Sequence, residues 1–524
     1  MLEVPSMANS KTELAVERLL QPDAYPHIAD ELQMLETHIS WVFLAGNYAY
    51  KVKKPVNFGF LDYSTLELRR RYCQEELRLN ARLAPHIYLD VVPLRGSLQE
   101  PHFKEEGEII DYAVKMRRFS QSGLLDRQIQ EGRLQPEDID ELSNLIAQFH
   151  QSIERIDPSS HHGTPENVHQ PAIENFDHTV PLIQNPRSIE RLGKLKQWTE
   201  REYEKYFETF KARQQEGFVR ECHGDLHLGN MARMKGILIF DGIEFNDDFR
   251  WIDVVSEIAF LYMDLEHRGR PDFAQRMLNR YLERTGDYLG LSLLPYYLVY
   301  RSMVRAKVDA IRFSQSGLSE EEKSKLSRDF VGFIDQAERY AATRQPHLVL
   351  THGLSGSGKT FVSGQLLEKW RAVRIRSDVE RKRLFGLDLQ DSSHSEVGKG
   401  LYTPEASRRT FQHLRQLASG LLKAGQRVIV DATFLKPDSR RPFYDLAVEL
   451  KVPLTVLDVQ AGEAVCRRRL QEREDDVSEA NLAVLENQLG SYQALHPEEA
   501  RIITLNSEQK IDIELLIEQL KTHL

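Results

Sequence analysis

Cysteine is nearly absent from this chain of 524 residues: Cys73, Cys222 and Cys466 are far apart and form no C-x-x-C pair. That excludes a disulfide framework and a thiolate zinc site, and it points to reduced thiols in a cytosolic protein. Long apolar runs are missing too. LLPYYLVY at 293–300 is among the longest, well short of the roughly 18 residues a membrane span needs. The N-terminus shows no basic segment followed by an apolar core, so no signal peptide is expected. Positive charge is not in excess, with 69 Lys and Arg against 79 Asp and Glu for a net charge of −10. Such a chain does not coat nucleic acid non-specifically, although one basic groove remains compatible with it. Internal repeats and low-complexity tracts are lacking. What is present is ordinary globular composition, 41% hydrophobic and 28% charged. At about 150 residues per domain the length accommodates two to four domains.

Punctuation along the chain sharpens that count. A polar helix over 320–342 runs out, Pro346 breaks it, and an apolar strand begins at His347. A domain boundary is expected there, giving domains 1–343 and 344–524. In the first, strand-like segments 41–45 and 48–52 flank a Gly46-Asn47 hairpin turn. Ser64 to Glu67 has capping-box spacing and opens a helix stopped by Pro85. Strands at 88–94 and 109–116 follow, and helical patterning dominates beyond Pro136, interrupted by a β-like stretch at 218–245. The reading is a small sheet-rich lobe before a larger helical lobe. The second domain alternates strand and helix from 347 to 459, the pattern of a parallel sheet with helices on both faces.

Chemistry concentrates in two places. The first is His223-Gly224-Asp225-Leu226-His227-Leu228-Gly229-Asn230, an H-x-D-x-x-x-x-N pattern, with Asp241 following an apolar stretch at 236–240. Phosphoryl transfer needs a carboxylate to orient the attacking hydroxyl and oxygen ligands to hold Mg²⁺ on the phosphates. Asp225 suits the first role, Asn230 and Asp241 the second. HGDLHLGN followed by IFDGIEF resembles the catalytic and metal-binding loops of aminoglycoside phosphotransferases and related small-molecule kinases, which share the protein-kinase fold. That resemblance implies a strand lysine on the ATP phosphates paired with a helix glutamate. Lys51 in Ala49-Tyr50-Lys51 is the candidate, with Lys53 on the same strand face as competitor; Glu76 is the candidate partner and Glu75 the alternative. Met116 would lie at the hinge where adenine docks. One departure stands out: no G-x-G-x-x-G loop covers the phosphates, and Gly46-Asn47 is a bare turn. Glu244, Asp247, Asp248, Asp264 and Glu266 are compatible with an acidic wall for a cationic acceptor, but fit a solvated acidic face better.

The second place is Gly353-Leu354-Ser355-Gly356-Ser357-Gly358-Lys359-Thr360, a G-x-x-x-x-G-K-[ST] loop between an apolar strand and a helix. Its backbone N–H groups would close around phosphates, Lys359 would bridge β- and γ-phosphates, and Thr360 would ligate Mg²⁺. The next strand ends at Arg376-Ser377-Asp378, with Arg381 three residues beyond Asp378. Asp378 would accept the acceptor hydroxyl's proton and Arg381 would hold an anionic substrate group. Asp431 closes another strand, placed to hold the metal through water. Arg469 and Arg473, four apart, would form a closing lid over the transferring phosphoryl group.

GLSGSGKT, RSDVERKR, VIVDAT and RLQER together resemble small P-loop kinases such as gluconate kinase, the zeta-toxin-like kinases and the kinase module of phage polynucleotide kinase. The whole architecture resembles bacterial bifunctional aminoglycoside phosphotransferase/ATP-binding proteins. It implies an α+β protein-kinase-like bilobal domain followed by an α/β P-loop domain, with ATP and Mg²⁺ as cofactors. The function expected is a cytoplasmic kinase with two active sites, each passing the γ-phosphoryl to a small-molecule hydroxyl. Two alternatives remain open: an ATP-binding regulatory switch acting on a partner, and polynucleotide 5′-end kinase activity of the second domain. The acidic balance disfavours the latter, and the acceptor-orienting carboxylates favour chemistry over a switch.

Overall fold

The computed structural model describes residues 14–521, apart from 60, 316, 390, 392–400, 402, 473–477, 479, 480 and 497. Two compact units are distinguished. The first gathers the described part of Met1–Leu134 with Ile153–Asn167 and Gln214–Glu257; the second gathers Gln135–Ser152, Val168–Arg213 and the described part of Ile258–Leu524. The linker around Pro346 therefore lies inside the second unit, between the helix Glu320–Ala341 and the strand His347–His352.

The first unit is built on a six-stranded antiparallel sheet in the order Gln33–Glu36, Ser40–Ala45, Tyr48–Lys53, Ile109–Arg117, Tyr88–Gly96, Pro101–His102. Gly46 makes the central hairpin at φ +56°, where a Cβ would sit 2.7 Å from the Ile28 carbonyl oxygen. One sheet face is covered by the segment from Leu19 to Ala29, packed with Phe43, Tyr50, Val52, Leu94 and Phe103. The helix Leu66–Asn80 is capped by Thr65, whose Oγ1 accepts the Leu68 N–H at 3.2 Å. The cap thus falls one residue later than the Ser64–Glu67 spacing indicates, because Asp62 has already captured the Ser64 N–H at 2.9 Å. The β-like stretch resolves into the short strands Val219–Glu221, Met231–Arg233 and Ile237–Ile239.

The second unit joins a helical part to a five-stranded parallel sheet. Strand order is Ala372–Arg376, Arg427–Asp431, His347–His352, Leu454–Gln460, Arg501–Asn506. The central strand is buried throughout, which is why its sequence is continuously apolar rather than alternating. Val362, Leu366 and Trp370 of the helix Lys359–Trp370 pack with Leu516 and Leu520 of the helix Ile513–Lys521 in one sheet-covering core. That last helix and the strand Arg501–Asn506 extend the alternation past residue 459, where the sequence pattern had lost it.

Candidate active sites

Side-chain alternation on Tyr48–Lys53 sets up the first site. Tyr50 and Val52 enter the core, so Lys51 and Lys53 emerge on the opposite face. Both lysines reach Glu76: Lys51 Nζ is 2.9 Å from Oε1 and Lys53 Nζ 2.6 Å from Oε2. They then part. Lys51 also meets Asp241 Oδ1 at 2.5 Å, whereas the fully buried Lys53 is engaged by Glu244, which accepts the Tyr63 hydroxyl as well. Glu75 turns away and pairs with Arg78 at 2.8 Å. Burial works against the Lys51 charge, but the Asp241 and Glu76 carboxylates outweigh it and hold the ammonium well above the usual lysine range. Burial likewise opposes ionisation of Glu76, and the two lysines override it, keeping the carboxyl below its usual range.

The loop after Glu221 is held by one buried carboxylate. Glu257 accepts the His223 N–H at 2.8 Å and the Gly224 N–H at 2.9 Å. Gly224 adopts φ +87°, and a Cβ there would lie 2.7 Å from the Phe249 carbonyl oxygen. His223 Nε2 sits 2.9 Å from the Phe240 carbonyl, so it carries the proton, leaving Nδ1 to accept the Asp225 N–H at 3.3 Å. Burial lowers the His223 pKa and keeps the ring neutral. Asn230 Nδ2 donates to both the carbonyl and Oδ2 of Asp225 at 3.0 Å, which orients its amide with the oxygen as the remaining acceptor. Asp241 takes φ +63°, and its N–H donates to the Tyr88 hydroxyl at 3.1 Å. The oxygen donors of Asn230 and Asp241 are the hard set that Mg²⁺ prefers. Met116 is half-buried and, like Phe119, Leu238 and Phe240, packs against the core cluster that includes Ile87, Tyr88 and Val114.

The acidic residues beyond Asp241 are individually engaged. Glu244 is buried on Lys53; Asp247 pairs with Arg250 at 2.5 Å and Asp248 with His162 at 2.6 Å. Asp264 pairs with Arg268 at 3.0 Å, and Glu266 accepts the Tyr340 hydroxyl at 2.6 Å.

In the second unit the glycine-rich loop runs from the central strand into the helix Lys359–Trp370. Gly353, Gly356 and Gly358 have φ of +139°, +82° and +92°. A Cβ on Gly353 would approach the Val459 carbonyl oxygen to 2.4 Å, and one on Gly356 the Cys466 carbonyl oxygen to 2.6 Å, so only glycine fits. Among the described residues, buried Ser357 Oγ has no hydrogen-bond partner, an orphaned donor in a loop shaped to receive phosphate oxygens. Lys359 Nζ donates to the Leu354 carbonyl at 2.7 Å. Gln488 clasps Ser355, accepting its N–H at 2.8 Å and donating to its hydroxyl at 3.0 Å. Asp431 ends its strand buried, with Ser363 Oγ donating to Oδ2 at 3.0 Å. Thr360 and Asp431 offer oxygen donors of the kind Mg²⁺ takes.

Family comparisons agree with the two-part architecture. The model of the "Phosphotransferase enzyme family" matches residues 67–294, and that of an "AAA domain" matches 348–495. Across both, the chain is 31% identical over 459 residues to the "Uncharacterized protein Rv2004c" of Mycobacterium tuberculosis, covering 85% of this chain and 88% of that one. The chain belongs to its family. It joins a phosphotransferase-family, protein-kinase-like domain to a P-loop nucleotide-binding domain with a five-stranded parallel sheet. Among solved structures, amicoumacin kinase hAmiN is 15% identical with a TM-score of 0.37, covering 58% of this chain and 88% of its own. A sugar kinase from Janibacter sp. is 22% identical with a TM-score of 0.27, covering 34% of this chain and 93% of its own. Kinase-like domains of these families imply ATP use, usually with Mg²⁺. Among the described residues no helix is long and apolar enough to cross a membrane.

In this two-domain family member, Lys51, Glu76 and Asp241 come together, as do Asp225 and Asn230, and Thr360's helix lies against Asp431 through Ser363. Asp378 is half-buried as the second residue of the helix Ser377–Leu384, whose N-cap is Arg376. Arg381 is buried, donating to the Leu401 carbonyl at 2.8 Å and the Ser407 hydroxyl at 3.3 Å. Arg469 lies at the wall of the phosphate loop, with Nη1 3.3 Å from the Gly356 carbonyl and Nη2 2.9 Å from the Ser507 carbonyl. Arg473 lies outside the described residues. Sequence reasoning missed Glu257, Tyr88, Gln488 and Ser507. Only Glu257 carried a local signal, the lone charge in the otherwise uncharged helix start 254–258.

Proposed function

We propose that the chain is a cytoplasmic phosphotransferase with two centres, one in residues 1–343 and one in 344–524. Each passes the γ-phosphoryl of ATP to a hydroxyl of a small molecule. The observation that carries this reading is the single ionic cluster in which Lys51 bridges Glu76 and Asp241. Phosphate positioning in kinase folds requires a strand lysine paired with a helix glutamate and a metal-loop aspartate beside it, and this cluster brings those three groups together. In the first centre Lys51 binds the α- and β-phosphates and Met116 lies against adenine. Asp225 accepts the acceptor's proton as that oxygen bonds to phosphorus and the bond to the ADP oxygen breaks. Asn230 and Asp241 would hold Mg²⁺, which neutralises charge on the phosphates.

In the second centre the loop Gly353–Thr360 encloses the phosphates, Lys359 neutralises them, and Thr360 and Asp431 would hold Mg²⁺. Asp378 takes the acceptor proton, Arg381 holds an anionic group of the acceptor, and Arg469 and Arg473 close over the transferring phosphoryl group. Three buried, unpaired cysteines support a reducing compartment.

The test is ATP turnover against a panel of hydroxylated metabolites with Asp225→Ala and Lys359→Ala made separately. Each substitution should abolish a different acceptor-dependent activity. Turnover that no acceptor stimulates and neither substitution alters would refute the reading.

A further inference from the structure

The helix Pro271–Thr285 lies along the edge strand Ala372–Arg376, and its side chains complete that strand's hydrogen bonding. Gln275, Asn279 and Glu283 are four residues apart and share one helix face. Gln275 Nε2 donates to the Ala372 carbonyl at 2.7 Å, and Asn279 Nδ2 to the same oxygen at 3.1 Å. Asn279 Oδ1 accepts the Arg374 N–H at 2.7 Å. An edge that would otherwise pair with another strand is closed by amides.

Glu283 goes further, to the Arg374 side chain. Its Oε1 accepts from Arg374 Nη2 at 2.8 Å, with both residues buried. The other arm of the same guanidinium points into the phosphate-loop domain. Arg374 Nη1 donates to the Thr360 carbonyl and to Ser363 Oγ, both at 3.1 Å, and stands 4.0 Å from Asp431 Oδ2. One arginine thus sits between a carboxylate of the helical part and the carboxylate that closes the nucleotide loop's neighbouring strand.

We propose that Glu283 is a positioning residue for the cation at the P-loop: by holding Arg374 it keeps the guanidinium off Asp431 and leaves that carboxylate to Mg²⁺. The inference rests on reading Thr360 and Asp431 as the Mg²⁺-holding pair. A buried guanidinium requires a carboxylate, and removing one partner leaves a costly unpaired charge. With Glu283 neutralised, Asp431 is, among the described residues, the remaining carboxylate within 4.0 Å of Arg374. Arginine and metal then compete for the same oxygens. The P-loop centre accordingly depends on a residue that precedes the Pro346 linker, which gives the fusion of the two parts a physical reason.

The test is titration of the full chain with fluorescent N-methylanthraniloyl-ADP, with and without Mg²⁺, using Lys359→Ala to identify the P-loop component. Glu283→Gln should weaken the Mg²⁺-dependent component about tenfold, the usual scale of coupling between linked groups. Mg²⁺-free affinity should stay within about twofold of the parent, and Glu283→Asp should recover most of the loss. Adding Arg374→Met to Glu283→Gln removes the competing guanidinium and should restore the Mg²⁺ dependence, which a merely structural role would not produce. Thermal unfolding of each variant checks that it is folded. A Glu283→Gln chain that binds with Mg²⁺ like the parent overturns the proposal, as does equal weakening with and without Mg²⁺. If the parent shows no Lys359-dependent component, the nucleotide reading of the loop fails first and takes the proposal with it.

Discussion

Lys53 Nζ and Glu76 Oε2 lie 2.6 Å apart with both side chains fully buried, while two residues earlier Lys51 binds the other Glu76 oxygen at the site's edge. The neighbouring lysines therefore do different work. Lys53 is sealed in the interior, and Lys51, between Glu76 and Asp241, is the lysine proposed to meet phosphate. Lys53→Met should destabilise the chain by about 3–5 kcal/mol, because it strands Glu76 and Glu244 in the interior. Lys51→Met should cost markedly less in stability and eliminate turnover at the first centre. Urea unfolding beside steady-state kinetics separates the two.

Acid should find Glu76. Burial opposes its charge, and the two lysines hold its folded pKa below the unfolded value near 4.5. Its contribution is complete above that value and is lost as pH falls through the lower folded pKa. Glu76→Gln should therefore flatten the fall of stability below about pH 4.5 while lowering stability at neutral pH. Unfolding free energies measured across that range test the slope.

Asp309 behaves oppositely. Burial pushes its carboxyl up to about 6, and Oδ2 has no hydrogen-bond partner among the described residues. A raised carboxyl pKa favours the protonated folded form, so stability falls as pH rises from about 4 through about 6. Asp309→Asn should gain about 1–2 kcal/mol over the parent at pH 8 and nothing below about pH 4. Chemical denaturation at the two extremes decides it.

Glu257→Gln keeps the shape of a side chain that receives two backbone N–H groups. Its amide would turn a donor toward one of them, leaving a buried donor facing a donor. The expected result is a loss of about 1–3 kcal/mol in stability. Turnover at the first centre should fall at least about tenfold. Unchanged turnover would remove Glu257 from any role in shaping the Asp225 loop.

Gly356→Ala has no room for its methyl, which would meet the Cys466 carbonyl oxygen at 2.6 Å at a φ of +82°. Nucleotide binding that depends on Lys359 should disappear, with fold and first-centre turnover retained. Fluorescent nucleotide titration is the readout.

Much of this was legible in the sequence because its signals are local. The P-loop needs eight adjacent residues, and the Asp225–Asn230 spacing lies within one loop. The hairpin around Gly46 and the helix beginning at Leu66 likewise announce themselves by alternation and capping. What escaped depends on partners distant in the chain. Nothing near Lys51 or Lys53 indicates which one Glu244 will engage, since both have the same strand parity; the structure separates them through Tyr63 and Asp241. On sequence grounds the acidic residues after Asp241 fit a solvated face better than a wall, but nothing local indicates the partners Arg250, His162 and Arg268 that engage Asp247, Asp248 and Asp264. Arg469 reads as a lid arginine from its i, i+4 spacing, but its bonds to Gly356 and Ser507 depend on a strand that the pattern did not reveal.

That strand changes where the nucleotide site ends. Ser507 Oγ donates to the Ser357 carbonyl at 2.6 Å and receives Arg469 Nη1 at 2.9 Å, so the turn after Arg501–Asn506 braces the phosphate loop from outside. Ser507 lies twelve residues beyond the family match that stops at 495. A chain cut at that limit would keep every residue of the loop yet lose the strut that fixes its curvature, making the cut a binding defect written entirely in sequence the motif does not contain.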